Sequence, residues 1–139
     1  MTQEDKTLLK DLCARLPYNV ICQVEFKENG KYNSKVMLLS GIFTDEAYFT
    51  TKGGSIYSNE YKPYLFPFSS MTEEQKKYIN DRWNINENFD FEIDPNWGKY
   101  FVDLGDVVDY INWLNKNHFD YRGLIDKGLA IDATGLNIY

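Results

Sequence analysis

The apolar positions of this chain repeat first at helical spacing, then at strand spacing, and return to helical spacing past residue 70. Leu8, Leu9, Leu12, Cys13 and Leu16 fall on one face of a helix that Thr2 and Asp5 can open as a capping box and Pro17 ends. Val20, Cys22, Val24 and Phe26 then alternate with Ile21, Gln23 and Glu25, the period of a half-buried strand. Asn29-Gly30 marks a hairpin. A two-residue turn would set Val24 against Lys35 and Phe26 against Asn33. A three-residue loop with Gly30 left-handed instead sets Phe26 against Tyr32, Cys22 against Val36 and Val20 against Leu38. Matching of apolar faces favours the second register.

Lys35 to Phe43 reads as a second, central strand, Ala47 to Thr51 as a third and Ser55 to Tyr61 as a fourth, with Gly53-Gly54 as the turn between the last two. Pro63 and Pro67 hold Lys62 to Phe68 extended. Ser70 with Glu73, or Thr72 with Gln75, can cap a helix running to Trp83. Phe89, Phe91 and Ile93 next alternate with Asp90, Glu92 and Asp94. A helix over Asp106–Asn117 with Val107, Ile111, Leu114 and His118 on one face follows, and a short one from Asp120 to Gly128. The fold class is α+β: an N-terminal helix, a small antiparallel bent sheet or SH3/Sm-like barrel over about residues 19–68, and a helical C-terminal half. Such an analogy carries no function. No repeat or linker interrupts residues 1–139, which read as one domain.

Composition narrows the function classes. Aromatics reach 17%, enough apolar area for a domain of this length to build a core. The formal charge of −6 is uneven: residues 1–64 carry eight basic and eight acidic side chains, residues 65–139 seven and thirteen. An acidic chain without a basic cluster is a poor nucleic-acid binder, because such binding draws on phosphate neutralisation. No apolar run is long enough to cross a bilayer. The start, Met1 to Lys6, lacks the basic and apolar regions of an export signal, which points to a cytoplasmic protein with Cys13 and Cys22 as reduced thiols in the core.

Three clusters could carry chemistry. His118, Asp120 and Arg122 combine the only imidazole with a carboxylate and a guanidinium, a set that could bind an anion or move a proton. The same residues also spell a helix–helix corner, with Asp120 as N-cap, Phe119 and Leu124 as a hydrophobic staple and Gly128 after the last turn. The corner explains every residue type without a substrate. Asp90, Glu92 and Asp94, on a strand, would project carboxylates about 7 Å apart toward a hard cation. The EF-hand pattern fails there, and a charged strand edge accounts for them better. Tyr57, Tyr61, Tyr64, Phe66 and Phe68 exceed what one buried face needs and form the candidate binding surface. Gly53-Gly54 lacks the Lys-Ser/Thr of a phosphate loop, and G-x-S-x-G, H-E-x-x-H and C-x-x-C are absent. No cofactor is implied.

Two stretches, Lys62-Pro63-Tyr64-Leu65-Phe66-Pro67-Phe68-Ser69-Ser70-Met71-Thr72-Glu73-Glu74 and Asn117-His118-Phe119-Asp120-Tyr121-Arg122-Gly123-Leu124-Ile125, with Gly128-Leu129-Ala130 after the second, resemble a family of uncharacterised proteins of Bacteroidales-type gut bacteria and their phages. Asp11-Leu12-Cys13-Ala14-Arg15-Leu16-Pro17-Tyr18 fits the same pattern, which more often has Arg at the place of Phe66 and Gly at that of Asn19, two positions where this chain departs from it. The resemblance implies an intracellular protein of phage or mobile-element context and supplies no catalytic residues. The expected function is a non-enzymatic binding or accessory module whose partner is another protein. The alternatives are a small enzyme using His118, Asp120 and Arg122, and a weak nucleic-acid binder acting through the β-rich first half.

Overall fold

The computed structural model describes residues 2–43, 46–92 and 103–139. Helix α1 (Gln3–Arg15) opens with the expected capping box: Thr2 Oγ1 accepts from the Asp5 N–H, and the Asp5 carboxylate accepts from the Thr2 N–H, each at 3.0 Å. Its fully buried positions are Asp11, Leu12 and Arg15. The buried face is thus turned from the one expected, and Cys13 is exposed while Cys22 is buried. The reason is a charged pair one helical turn apart, Asp11 and Arg15, which faces inward beside Leu12. A 3-10 turn, Leu16–Tyr18, then delivers Asn19 in the left-handed region at φ 59°, a conformation Asn tolerates.

Strands β1 (Ile21–Glu28) and β2 (Lys31–Ile42) form the hairpin in the register that face-matching disfavoured: Phe26 opposes Asn33, Val24 opposes Lys35 and Cys22 opposes Met37. Turn chemistry decides this. Asn29 (φ 52°) and Gly30 (φ 78°) are both left-handed, as a two-residue type I′ turn demands. The hairpin tip projects past the core, so no burial rewards Phe26 facing Tyr32, and Tyr32 is 70% exposed. At the inner end apolar still meets apolar, with Met37 and Leu39 buried instead of Val36 and Leu38.

Strands β3 (Ala47–Thr51), β4 (Gly54–Ser58) and β5 (Glu60–Leu65) continue an antiparallel sheet, and a two-residue strand β6 (Ile131–Asp132) adds in parallel to β5. The strand order is β4-β3-β2-β1-β5-β6. The expected fourth strand is broken at Asn59, where the buried Ser58 hydroxyl donates to the Glu25 carbonyl at 2.6 Å and accepts from the Glu60 N–H at 3.0 Å.

Thr72 and Gln75 cap α2 (Glu73–Trp83), and Asp103 caps α3 (Leu104–Lys116) by accepting from the Gly105 N–H. The second half is less helical than the periodicity suggested. Asp120 to Gly128 is no helix, because Gly123 at φ 72° interrupts it. A single turn remains, closed by Leu129 N–H to Leu124 O and Gly128 N–H to Ile125 O. Asn84 to Glu92 is a tight loop instead of a strand. It is held by Asn86 N–H to Asp90 O, by Glu92 N–H to Asn84 O and by a lone bridge between Ile85 and Phe91.

Three hydrophobic clusters fill this α+β frame. Leu12, Val20, Cys22, Val24, Met37, Leu39, Ala47 and Phe49 pack between α1 and the sheet. Met71, Ile79, Trp83, Ile85, Tyr110, Leu114 and Phe119 join α2 and α3, ringed by further aromatics. Leu65, Leu124 and Ala130 link β5 to the C-terminal turns, with Leu8 touching this group and the first.

Candidate functional site

The residues that carried the sequence resemblance converge at one place. Asp11 and Arg15 come from α1, Tyr64 to Phe66 from the end of β5, and His118 to Arg122 from the turns after α3. Phe66 receives and returns backbone hydrogen bonds with the third segment: its N–H donates to His118 O, and its carbonyl accepts from the Asp120 N–H, both at 2.8 Å. Arg15 Nη2 donates to Phe119 O at 2.6 Å while its Nε donates to Asp11 Oδ2 at 2.7 Å. Arg122 Nε reaches Asp11 Oδ1 at 3.2 Å, so one buried carboxylate serves two guanidinium groups. Both guanidinium groups also lie over the Tyr121 ring, at 5.0 and 5.2 Å. Sequence reading passed over Asp11 and Arg15 as site members. Their four-residue spacing beside the buried Leu12 was the available signal.

His118, Asp120 and Arg122 therefore sit close in the chain but answer to three different partners. The His118 ring stacks on Tyr139, centroids 3.6 Å apart and 12° from parallel, on a left-handed backbone at φ 62°. Burial, and next the positive charge of Arg15, pull its pKa down to about 4. Its Nδ1 has no hydrogen-bond partner among the described residues, so nothing orients it as a base. Both oxygens of Asp120 accept backbone N–H groups at 2.9 Å, one from Leu124 and one from Ile125. This is the capping role read from the sequence, achieved around a single turn. The expected staple does not form as such, because Phe119 joins the α2–α3 cluster and Leu124 the β5 cluster.

Tyr139 ties the segments together. Its hydroxyl donates to Tyr64 O at 2.8 Å and accepts from the Ile21 N–H at 3.0 Å, and burial pushes the phenol up. Burial does the same to the Cys22 thiol, which leaves it unreactive as a thiolate nucleophile.

The candidate aromatic surface is dispersed. Tyr64 is buried, Tyr61 is half-buried against Phe49, and Phe66 packs on Phe119 and Tyr139. Phe68 stacks on Phe89 at 4.5 Å. Of the set only Tyr57 is exposed, at 55%, and its neighbours are residues the sequence did not flag: Tyr48, with ring centroids 5.0 Å away, and Phe43 at 5.5 Å. Gly41 on β2 lies opposite Tyr48.

Asp90 and Glu92 are exposed on the Asn84–Glu92 loop, not ranked along a strand, and Asp94 lies outside the described residues. Among the described residues no three His, Cys, Asp or Glu side chains converge to hold a metal ion, and no helix is long and apolar enough to cross a membrane. No protein-family model, curated protein or solved structure matches this chain.

Proposed function

We propose that this protein is a non-catalytic module that binds another protein through the β3–β4 side of its sheet, in a phage or mobile-element setting. One observation carries the reading: an exposed cluster of aromatic rings lies beside a sheet edge, whereas most of the polar side chains at the His118 corner are enclosed by the fold. His118 is stacked and kept neutral, both Asp120 oxygens cap backbone N–H groups, and Arg122 is paired with Asp11. The accessible area lies elsewhere, at Phe43, Tyr48 and Tyr57, where clustered rings beside a sheet edge offer contact at low entropic cost. Glu25, Glu46 and Glu60 stand in the same neighbourhood as Tyr57, which supports a protein partner over a nucleic acid, since carboxylates repel phosphates. The strand order, with Ser58 fastened across to Glu25, supports the SH3/Sm-like reading of the bent sheet.

The test is site-specific photo-crosslinking in the host, with a photoreactive phenylalanine analogue at Tyr57 and, as a control, at the exposed Tyr78 on α2. A discrete protein adduct from position 57 alone is expected. Adducts from neither position, with and without phage, would overturn the module reading.

A further inference from the structure

The sheet is open along one seam. β5 pairs with β1 only as far as Glu25 opposite Glu60, so the last residues of β1, Phe26 to Glu28, are paired on one side only, with β2. β4 pairs with β3 and, among the described residues, with nothing on its other side. The Ser58 hydroxyl pins the two strands together at one end of this seam. Beyond the pin β4 and β1 part, and concave spaces of about 530 and 320 Å³ open along them, sharing Phe26, Lys27 and Ile56 as lining. Unpaired strand edges are backbone donors and acceptors awaiting a partner.

The larger space has a definite charge. Glu25, Glu46 and Glu60 line it, and none of them forms an ion pair among the described residues. Its one lysine, Lys27, already rests over the Tyr32 ring at 5.6 Å. Tyr32 and Tyr57, both largely exposed, flank the same space. Three free carboxylates, two exposed phenol rings and an unpaired strand edge are complementary to one kind of occupant. Its backbone must be extended, and its side chains must bear guanidinium or ammonium groups.

We infer that the larger space, at the Ser58 end of this seam, is the docking groove for an extended, arginine-bearing segment of a partner protein, which adds as a strand along β4 and sets its cationic side chains against Glu25, Glu46 and Glu60, short of the smaller space that Lys27 and Lys35 line. The inference rests on the module reading above and specifies its ligand. A second copy of this chain fits less well: its β4 edge would bring the same three carboxylates against their own counterparts.

The probe is a fluorescein-labelled ten-residue peptide alternating Arg with Thr and Val. It is compared with a peptide of the same composition carrying N-methylated backbone amides and with one in which Glu replaces Arg. Fluorescence anisotropy with the full chain should give micromolar affinity for the first. N-methylation should cost at least tenfold, and the Glu peptide should not bind. Glu25→Lys with Glu60→Lys should cost the Arg peptide at least tenfold, while Glu73→Lys with Glu74→Lys, on the far helix α2, should change binding less than threefold. Equal binding of the N-methylated peptide would overturn strand addition, and an equal loss from the α2 variant would reduce the effect to net charge. Absence of binding, or a dimer that forms through β4 in sedimentation, would overturn the groove's assignment. The module reading itself stands or falls separately, on the adduct at position 57.

Discussion

The corner around His118 and the edge around β4 make opposite use of polar and aromatic residues. At the corner, most of the chemically versatile side chains are buried and turned inward: Asp11 pairs with two arginines, Asp120 holds two backbone N–H groups, and His118 lies flat on Tyr139, while His118 Nδ1 and Arg15 Nη1 have no hydrogen-bond partner among the described residues. At the edge, less reactive residues stay accessible, with Tyr57 and Phe43 half exposed and three glutamates that form no ion pair among the described residues. Residue type alone would rank the corner as the functional site. Accessibility to a partner ranks the edge first. Burial explains the inversion, because a side chain enclosed by the fold is withheld from a partner whether or not each of its polar atoms is hydrogen-bonded.

That contrast can be broken most sharply at Asp11. Asp11→Ala leaves the Arg15 guanidinium buried with no carboxylate, which should cost about 3–5 kcal/mol in urea denaturation. Replacing the pair together, Asp11→Leu with Arg15→Met, should recover much of that loss. A cost for Asp11→Ala well under 1 kcal/mol would remove the idea that the corner is structural. Asp120→Ala strands two backbone N–H groups and should cost about 2 kcal/mol, with Asp120→Asn falling between it and the parent.

His118 sharpens the comparison through pH. Its pKa is 6.5 when unperturbed and about 4 in the fold, so the unfolded chain takes up a proton first as pH falls. Stability linked to this group is therefore complete above pH 6.5, is lost as pH falls from 6.5 toward 4, and changes no further below that. Subtracting the pH profile of His118→Asn, which keeps a residue able to adopt the left-handed backbone, isolates the effect. A difference profile flat between pH 6.5 and 4 would contradict the buried stack. The smallest effect is expected at the edge, where Tyr57→Ala should shift stability by about 0.5 kcal/mol while removing contact area for a partner. A loss matching that of Asp120→Ala would place Tyr57 among structural residues.

Much of the fold was legible locally. Thr2 with Asp5 and Thr72 with Gln75 announced two helix starts, because a capping box is complete within four residues. Asp120 was legible as a cap for the same reason. Misreadings arose wherever the answer depended on what lay across the molecule. The hairpin register followed Asn29-Gly30 and not the apolar pattern, since the pattern could not reveal that the tip leaves the core. Val36 looked internal and is exposed, and Cys13 looked internal and yielded to Asp11 and Arg15. The dispersal of Tyr57, Tyr61, Tyr64 and Phe66 onto separate surfaces had no signal within the stretch itself, because the break at Asn59 depends on a hydrogen bond to Glu25.

The amino-acid order by itself determined the α+β class, the capped helices, the turns and the aromatic wealth of the core, all properties of neighbours within a few residues. Which carboxylate would meet which guanidinium, and which aromatic would keep an open face, was decided only when segments more than a hundred residues apart came together, as Arg15 meets the Phe119 carbonyl. Pairing energies depend on distance and on exclusion of water, and neither quantity exists until the chain has folded.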